Sequence, residues 1–116
     1  MKVQTPRRSA FTLVEIMIVV AIIGLLAAIA VPNILRARNT AQKNTCIANL
    51  KQIEGAIQQW AMENKKSDGS TVVTTDITPF LKNNVMPEEP TGAGYTIANT
   101  EAAPLCTSPA SLGHTL

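Results

Sequence analysis

Few residues in this chain have side chains that could do chemistry, and they lie far apart. Glu15 borders a long apolar run, Cys46 and Cys106 are sixty residues apart, and His114 is the only histidine. Zinc and redox motifs need close cysteine pairs, and nucleophilic catalysis needs a nucleophile that can be matched to a base. No such spacing occurs here. The sequence therefore predicts a protein that is not an enzyme, with no catalytic residues and no cofactor.

The two cysteines allow two interpretations. If the downstream part of the chain lies outside the cytoplasm, a disulfide between Cys46 and Cys106 is favoured. Closing so long a loop would stabilise the fold by about 4 kcal/mol. Two buried thiols are the alternative. Together with His114 the cysteines would need a fourth ligand to hold a metal ion, so we expect no metal site.

The distribution of charge argues against binding to nucleic acid. The formal net charge is +2, but three basic residues, Lys2, Arg7 and Arg8, precede Phe11 and no acidic residue does. Residues 11–116 carry seven basic and eight acidic side chains, and residues 65–116 carry three and five. No basic stripe of the kind that contacts phosphates is left. The adjacent acids Glu88 and Glu89 are expected to lie in a solvated turn.

Phe11–Val31 is long enough to cross a bilayer as a helix. Its only polar residues are Thr12 and Glu15, and a membrane-spanning helix needs about 20 apolar residues. A secretory signal has a shorter apolar segment followed by a cleavage site after small residues. We therefore favour a retained anchor, with cleavage near Ala30, just before Pro32, as the alternative.

The stretch Ala10-Phe11-Thr12-Leu13-Val14-Glu15, followed by this apolar run, resembles the N-terminus of type IV prepilins and type II secretion pseudopilins. The basic leader, Gly24 within the run and Pro32 at its end match as well. The resemblance implies that a membrane peptidase cleaves between Ala10 and Phe11 and that Phe11 is then methylated. The family most often has glycine before the cut, and Ala10 is also small.

The resemblance also gives Glu15 a role. A carboxylate near the bilayer interior costs about 2.5–3.5 kcal/mol on insertion scales, so it needs a functional explanation. Cleavage would create an amine at Phe11, and the family suggests that Glu15 of one subunit meets this amine on another subunit during assembly. The alternative is a Glu15 side chain that simply reaches the lipid headgroups.

Residues 11–64 are predicted to form one long helix. Beyond Pro32, the residues Cys46, Leu50, Ile53, Ile57 and Trp60 recur at alternating steps of four and three, which is the pattern of an apolar helix face. Pro32 is expected to kink the helix or to end it, and the stripe favours continuation. Gly24 and Pro32 also mark a segment that can lose helicity in the assembled filaments of the family.

The fold class is predicted to be α+β and pilin-like, with the long helix packed on a small, irregular C-terminal head that has few short antiparallel strands. Strands are predicted at 71–75 and 95–98, and a brief helix is predicted from Asp76 or Thr78 to Asn83. The predicted organisation is a removed leader (1–10), a membrane or filament-core half-helix (11–31), an amphipathic half-helix (32–64) and the head (65–116).

The predicted function is that of a structural subunit of a type IV pilus or a type II secretion pseudopilus. The implied partners are other subunits, the prepilin peptidase and methyltransferase, and an assembly platform in the inner membrane. The leader would lie in the cytoplasm and the head outside, first in the membrane and then in a filament. The alternatives are a minor pilin that binds ligands or takes up DNA at the tip, and an uncleaved single-span protein. The family's Asp-rich calcium loop is not expected, because residues 91–116 hold one acid, Glu101.

Overall fold

The computed structural model describes residues 1, 3 and 9–107. A helix of 51 residues, α1, occupies Leu13–Glu63. It is followed by a short helix, two 3₁₀ turns and two strands: α2 (Thr74–Ile77), Thr78–Phe80, Lys82–Asn84, β1 (Tyr95–Thr96) and β2 (Leu105–Cys106). The contacts divide the chain into two compact units that meet between Arg36 and Ala37.

The predicted long helix is confirmed, and α1 continues through Pro32. It begins at Leu13 rather than Phe11 because Thr12 acts as the cap residue, and it ends one residue before Asn64. The end has its own signature. The backbone N–H of Lys66 donates to the Ala61 carbonyl at 2.9 Å, and Lys65 adopts φ 51°. A left-handed residue with a hydrogen bond of this span is a common way to end a helix.

The first part of α1 is apolar on every side. All side chains from Leu13 to Arg36 are exposed, although nearly all of them are hydrophobic. By length and composition, α1 is able to cross a membrane. A helix that is hydrophobic all round needs a lipid or protein environment to cover it.

The second part of α1 carries a buried stripe. Five predicted residues of the stripe have exposed fractions of 8% or less: Cys46, Leu50, Ile53, Ile57 and Trp60. Ala56 is buried on the same side, and Val72, Ile77 and Leu81 of the head join the cluster around Ile53. Full burial of a large aliphatic side chain stabilises by about 1.5–3 kcal/mol. The stripe therefore supplies much of the core of the second unit.

The head contains less regular strand than predicted. β1 and β2 pair antiparallel, with Tyr95 opposite Cys106, so the predicted strand at 95–98 is confirmed only in its first two residues. The predicted strand at 71–75 is wrong, because only Thr71 forms an isolated bridge, to Asn99. The chain turns into α2 directly afterwards. The Asp76 carboxylate accepts the Val73 backbone N–H at 3.2 Å and so favours a helical turn over an extended strand.

The brief helix predicted to end at Asn83 is also wrong as a continuous element. Leu81 is extended, with φ −89° and ψ 154°, and it separates the two 3₁₀ turns. Asn83 and Asn84 then adopt φ 61° and 54°. Asparagine tolerates this left-handed region better than most residues, so the pair turns the chain where a helix would have continued.

Candidate functional site

The N-terminal site consists of the predicted cleavage position and the start of α1. Ala10 and Phe11 precede the helix and are exposed, with 82% of Phe11 accessible. Ser9, Ala10, Phe11 and Glu15 line one small surface pocket. The structure therefore brings the predicted cut and the predicted assembly carboxylate together within the first unit.

Glu15 has a local partner that the sequence reasoning missed. The Thr12 backbone N–H donates to Glu15 Oε2 at 2.8 Å, and the Glu15 backbone N–H donates to Thr12 Oγ1 at 3.3 Å. This reciprocal pair is a capping box, and it satisfies two of the donors left open at the helix start. The spacing Thr-x-x-Glu before an apolar run is its sequence signature, so the signal was available. The negative side chain also lies at the favourable end of the helix dipole.

The second cluster joins three separate parts of the head unit. Cys46 lies on α1, Glu89 in the loop before β1, and Cys106 on β2. The two sulfurs and a Glu89 carboxylate oxygen all lie within 4.8 Å of one another. Cys46 has an exposed fraction of 0% and Glu89 one of 5%. The predicted disulfide had linked the two cysteines, but no feature of the sequence had linked either of them to Glu89.

The burial of Glu89 contradicts the prediction that Glu88 and Glu89 lie in a solvated turn. Glu88 is exposed as expected, but Glu89 is buried. Its Oε2 accepts the Thr91 backbone N–H at 2.7 Å, the Ala93 backbone N–H at 3.0 Å and the Thr91 hydroxyl. Its Oε1 accepts the Cys106 thiol at 3.3 Å. Burial alone would raise the pKa of Glu89, but these hydrogen bonds outweigh it and lower the pKa to about 2. The carboxylate is therefore ionised.

The neighbouring groups titrate in the opposite direction. Burial raises the pKa of the Cys46 thiol to about 12, assisted by Cys106 and by the charge of Glu89. Burial also raises the pKa of Tyr95 to about 12. A negative charge next to a second acidic group disfavours its ionisation. Cys46 is therefore held as a neutral thiol in a site whose negative charge resides on Glu89.

Asn49 fixes the loop of Glu88 and the strand β1 to α1. Its Nδ2 donates to the Glu88 carbonyl at 3.0 Å and to the Tyr95 hydroxyl oxygen at 2.8 Å. Asn49 follows Cys46 by almost one helical turn, so one face of α1 serves both the thiol cluster and this contact. This role could not be predicted from the sequence, because a single asparagine on a helix has no distinctive spacing.

Cys46 and Cys106 are both thiols in this structure, and the disulfide between them stays a prediction. His114, weighed earlier as a surface residue or as a metal ligand, lies outside the described residues. Gly24 and Pro32 lie within continuous α1, and the space around Gly24 is open. A loss of helicity between them in a filament stays a prediction.

Comparison with known proteins bears on the N-terminal site. A family model described as "Prokaryotic N-terminal methylation motif" matches residues 5–31. The chain carries this motif. The match covers the leader, the predicted cut and most of the apolar run, so the resemblance drawn from these residues is confirmed.

The relatives are pilus and secretion-system proteins. Type II secretion system core protein G of Klebsiella pneumoniae is 35% identical over 60 residues, which cover 52% of this chain and 43% of the relative. The protein of the same name from Escherichia coli K12 is 28% identical over 108 residues, which cover 82% of this chain and 74% of the relative. Type IV major pilin protein PilA of Myxococcus xanthus is 45% identical over 58 residues, which cover 50% of this chain and 26% of the relative.

These alignments differ in how much of each relative they reach. The chain spans less than half the length of the Klebsiella relative and about a quarter of the Myxococcus one. No solved structure matches the chain significantly. The predicted pilin-like architecture, with one long apolar helix and a small head with two antiparallel strands, nevertheless agrees with the kind of protein that these relatives are.

Proposed function

We propose that this chain is a non-catalytic structural subunit of a type IV pilus or a type II secretion pseudopilus. In this proposal a prepilin peptidase cuts between Ala10 and Phe11, and the new N-terminus at Phe11 is methylated. The subunit then enters a helical filament through α1. Other copies of this chain or related subunits, the peptidase and methyltransferase, and an assembly platform in the inner membrane are its partners.

One observation carries this proposal: an exposed peptide bond lies two residues before a capped helix whose first part is apolar on all sides apart from Glu15. The bond between Ala10 and Phe11 precedes α1 by two residues, so a protease does not have to unwind the helix to reach it. The apolar stretch behind it is exposed throughout. Burying that surface in lipid and later among neighbouring subunits would be strongly favourable, because stabilisation grows with the apolar area removed from water.

The direction of insertion follows from the proposed processing. The peptidase of the family acts on the cytoplasmic side, so residues 1–10 would lie in the cytoplasm before the cut. The apolar part of α1 would then cross the inner membrane, and the head would lie outside. After assembly the same apolar surface would form the core of a periplasmic or extracellular filament.

Glu15 acts in this proposal through its carboxylate and not only as a cap. Cleavage places an amine on Phe11, four residues before Glu15. Opposite charges attract strongly where water is excluded, and pairing offsets part of the desolvation cost of each. An amine supplied by a neighbouring subunit would compete with the Thr12 backbone N–H for the same carboxylate oxygen.

Processing is tested by the mass and N-terminal sequence of the chain expressed with a prepilin peptidase. We expect the loss of residues 1–10 and a mature protein that begins at methylated Phe11. An Ala10→Glu variant places a bulky charge at the cut and is expected to stay in the unprocessed form. A mature N-terminus at any other residue, or a chain that keeps its leader in the presence of active peptidase, would refute the proposal.

Assembly is tested by Glu15→Ala, with Thr12→Ala as the matched control. Both variants break the capping box, but only the first removes the carboxylate. We expect normal processing of both, at least a tenfold loss of filaments for Glu15→Ala, and near-normal filament numbers for Thr12→Ala. Electron microscopy and a sheared-fraction assay count the filaments. Equal losses of filaments in the two variants would show that Glu15 acts only as a helix cap. Undiminished assembly of Glu15→Ala would show that its carboxylate has no role in assembly.

A further inference from the structure

We propose that Cys46, Glu89 and Cys106 form a binding site for one thiolate-preferring divalent cation of the Zn²⁺ class in the head. This site lies outside the methylation motif and does not depend on filament assembly. It would tie α1, the loop before β1 and β2 together at one point. The sequence argued against a metal ion because no further ligand was in view, and the structure supplies Glu89.

The positions of the three ligand atoms fit a tetrahedral ion. They all lie within 4.8 Å of one another. Zn–S bonds of about 2.3 Å and Zn–O bonds of about 2.0–2.2 Å place neighbouring ligand atoms of a tetrahedral site about 3.5–3.8 Å apart. The three side chains therefore need to move by about 1 Å or less to hold the ion. A water molecule or a further protein ligand would complete the coordination.

Glu89 is oriented as metal-binding carboxylates usually are. Three donors from Thr91 and Ala93 occupy its Oε2, which leaves Oε1 directed toward the Cys106 sulfur. Outer hydrogen bonds of this kind fix a ligand in place before the ion arrives. The Cys106 thiol proton now occupies the direction from Oε1 that a bound cation would take.

The charge of the site explains why a dication would be accepted in a buried place. Two thiols and the ionised Glu89 carboxylate carry a net charge of −1. If a dication binds, both thiols lose their protons to solvent, and two thiolates, one carboxylate and the ion again sum to −1. The raised pKa of Cys46 reflects burial first, and after it the hydrogen bond and repulsion from Cys106 and the repulsion from Glu89. A bound cation reverses that repulsion, because it is the largest local charge.

The ligand types select among cations and against a disulfide as the resting state. Thiolates favour Zn²⁺ and chemically similar ions, whereas Ca²⁺ and Mg²⁺ take oxygen ligands. A bond between Cys46 and Cys106 would use both sulfurs and would not involve the carboxylate of Glu89. A cation uses all three groups.

The test uses the full chain, purified without a polyhistidine tag in detergent, reduced and free of oxygen. Co²⁺ is the spectroscopic probe, because thiolate ligands give it an intense charge-transfer absorption. We expect one Co²⁺ per chain, displacement by an equimolar amount of Zn²⁺, and no displacement by excess Ca²⁺. Absence of the charge-transfer band in the fully reduced chain would overturn the proposal.

Two variants and a matched control assign the ligands. Glu89→Gln and Cys106→Ser are each expected to weaken Co²⁺ binding at least tenfold. Glu88→Gln makes the same chemical change at the exposed neighbouring residue and is expected to bind like the unaltered chain. Far-ultraviolet circular dichroism verifies that each variant is folded. Equal Co²⁺ affinities of Glu88→Gln and Glu89→Gln would overturn the proposed site. Formation of a Cys46–Cys106 disulfide in air in the presence of equimolar Zn²⁺ would overturn it as well.

Discussion

The two parts of helix α1 have the same secondary structure for different reasons. From Leu13 to Arg36 every side chain is exposed and almost all are apolar, whereas beyond Ala37 a single buried stripe alternates with exposed polar residues. The first part has no hydrophobic periodicity, so it presents no single apolar face of the kind that packs on one side of a head. The second part is periodic and packs on its own head. The first part therefore needs lipid or protein around it, whereas the second part is stabilised by its own fold.

We expect the same leucine-to-alanine substitution to act very differently in the two parts of α1. Leu50 lies in the buried stripe with an exposed fraction of 0%, whereas Leu25 is 66% exposed. Leu50→Ala is expected to lower the free energy of unfolding of the head unit by about 2–5 kcal/mol, through lost burial and a cavity. Leu25→Ala is expected to leave that free energy unchanged. Urea titration of the full chain in detergent, followed by fluorescence of its single tryptophan, Trp60, measures both.

Similar behaviour of Leu50→Ala and Leu25→Ala would contradict this difference between the two parts of α1. Equal destabilisation would mean that the apolar part of α1 also packs within the subunit. Filament counts supply the complementary readout. Under the proposed function, Leu25→Ala removes apolar surface that subunits share, so it is expected to reduce assembly while the head stays as stable as before.

The same contrast explains what could be predicted from the sequence. The methylation motif and the stripe from Cys46 to Trp60 are local patterns, so the motif, the long helix and its buried face could be predicted directly from the sequence. Glu89 could not be placed in this way, because its burial depends on a loop that brings it to two cysteines from distant parts of the chain. The wrong strand at 71–75 has a similar cause. β-branched residues favour strands, but the Asp76 side chain captures the Val73 N–H and starts a helix instead.

Acid should weaken the second part of the molecule through Glu89. The pKa of this buried carboxyl is lowered from 4.5 to about 2 in the folded chain. A lowered folded-state pKa gives stability that is present above the unfolded value and is lost as pH falls through the folded one. We expect the head to lose at most about 3 kcal/mol between pH 5 and pH 2 from this group. Urea titrations with a chelator present, followed by Trp60 fluorescence, measure the loss.

Two matched variants isolate the contribution of Glu89. Glu89→Gln cannot titrate, so its stability is expected to be lower at pH 7 and flatter with pH than that of the unaltered chain. Glu88→Gln is expected to keep the full acid dependence, because Glu88 is exposed. Parallel pH curves for the unaltered chain and Glu89→Gln would show that other carboxyl groups control the acid response.

Substitution of Lys65 tests where the second part of α1 ends. Lys65 adopts φ 51° just beyond the helix, a conformation that costs a residue with a Cβ about 1–2 kcal/mol and costs glycine much less. Glycine at position 65 would remove this cost, but part of the gain is offset by the greater freedom of glycine in the unfolded chain. Lys65→Gly is therefore expected to stabilise the head by about 0.5–1 kcal/mol.

Lys51→Gly is the matched control, because it makes the same change at an exposed position inside the helix, where glycine costs about 0.5–1 kcal/mol. Opposite shifts of the urea midpoint, followed by Trp60 fluorescence, are therefore expected. Destabilisation by both variants would mean that the helix continues past Glu63 in solution and that Lys65 does not end it.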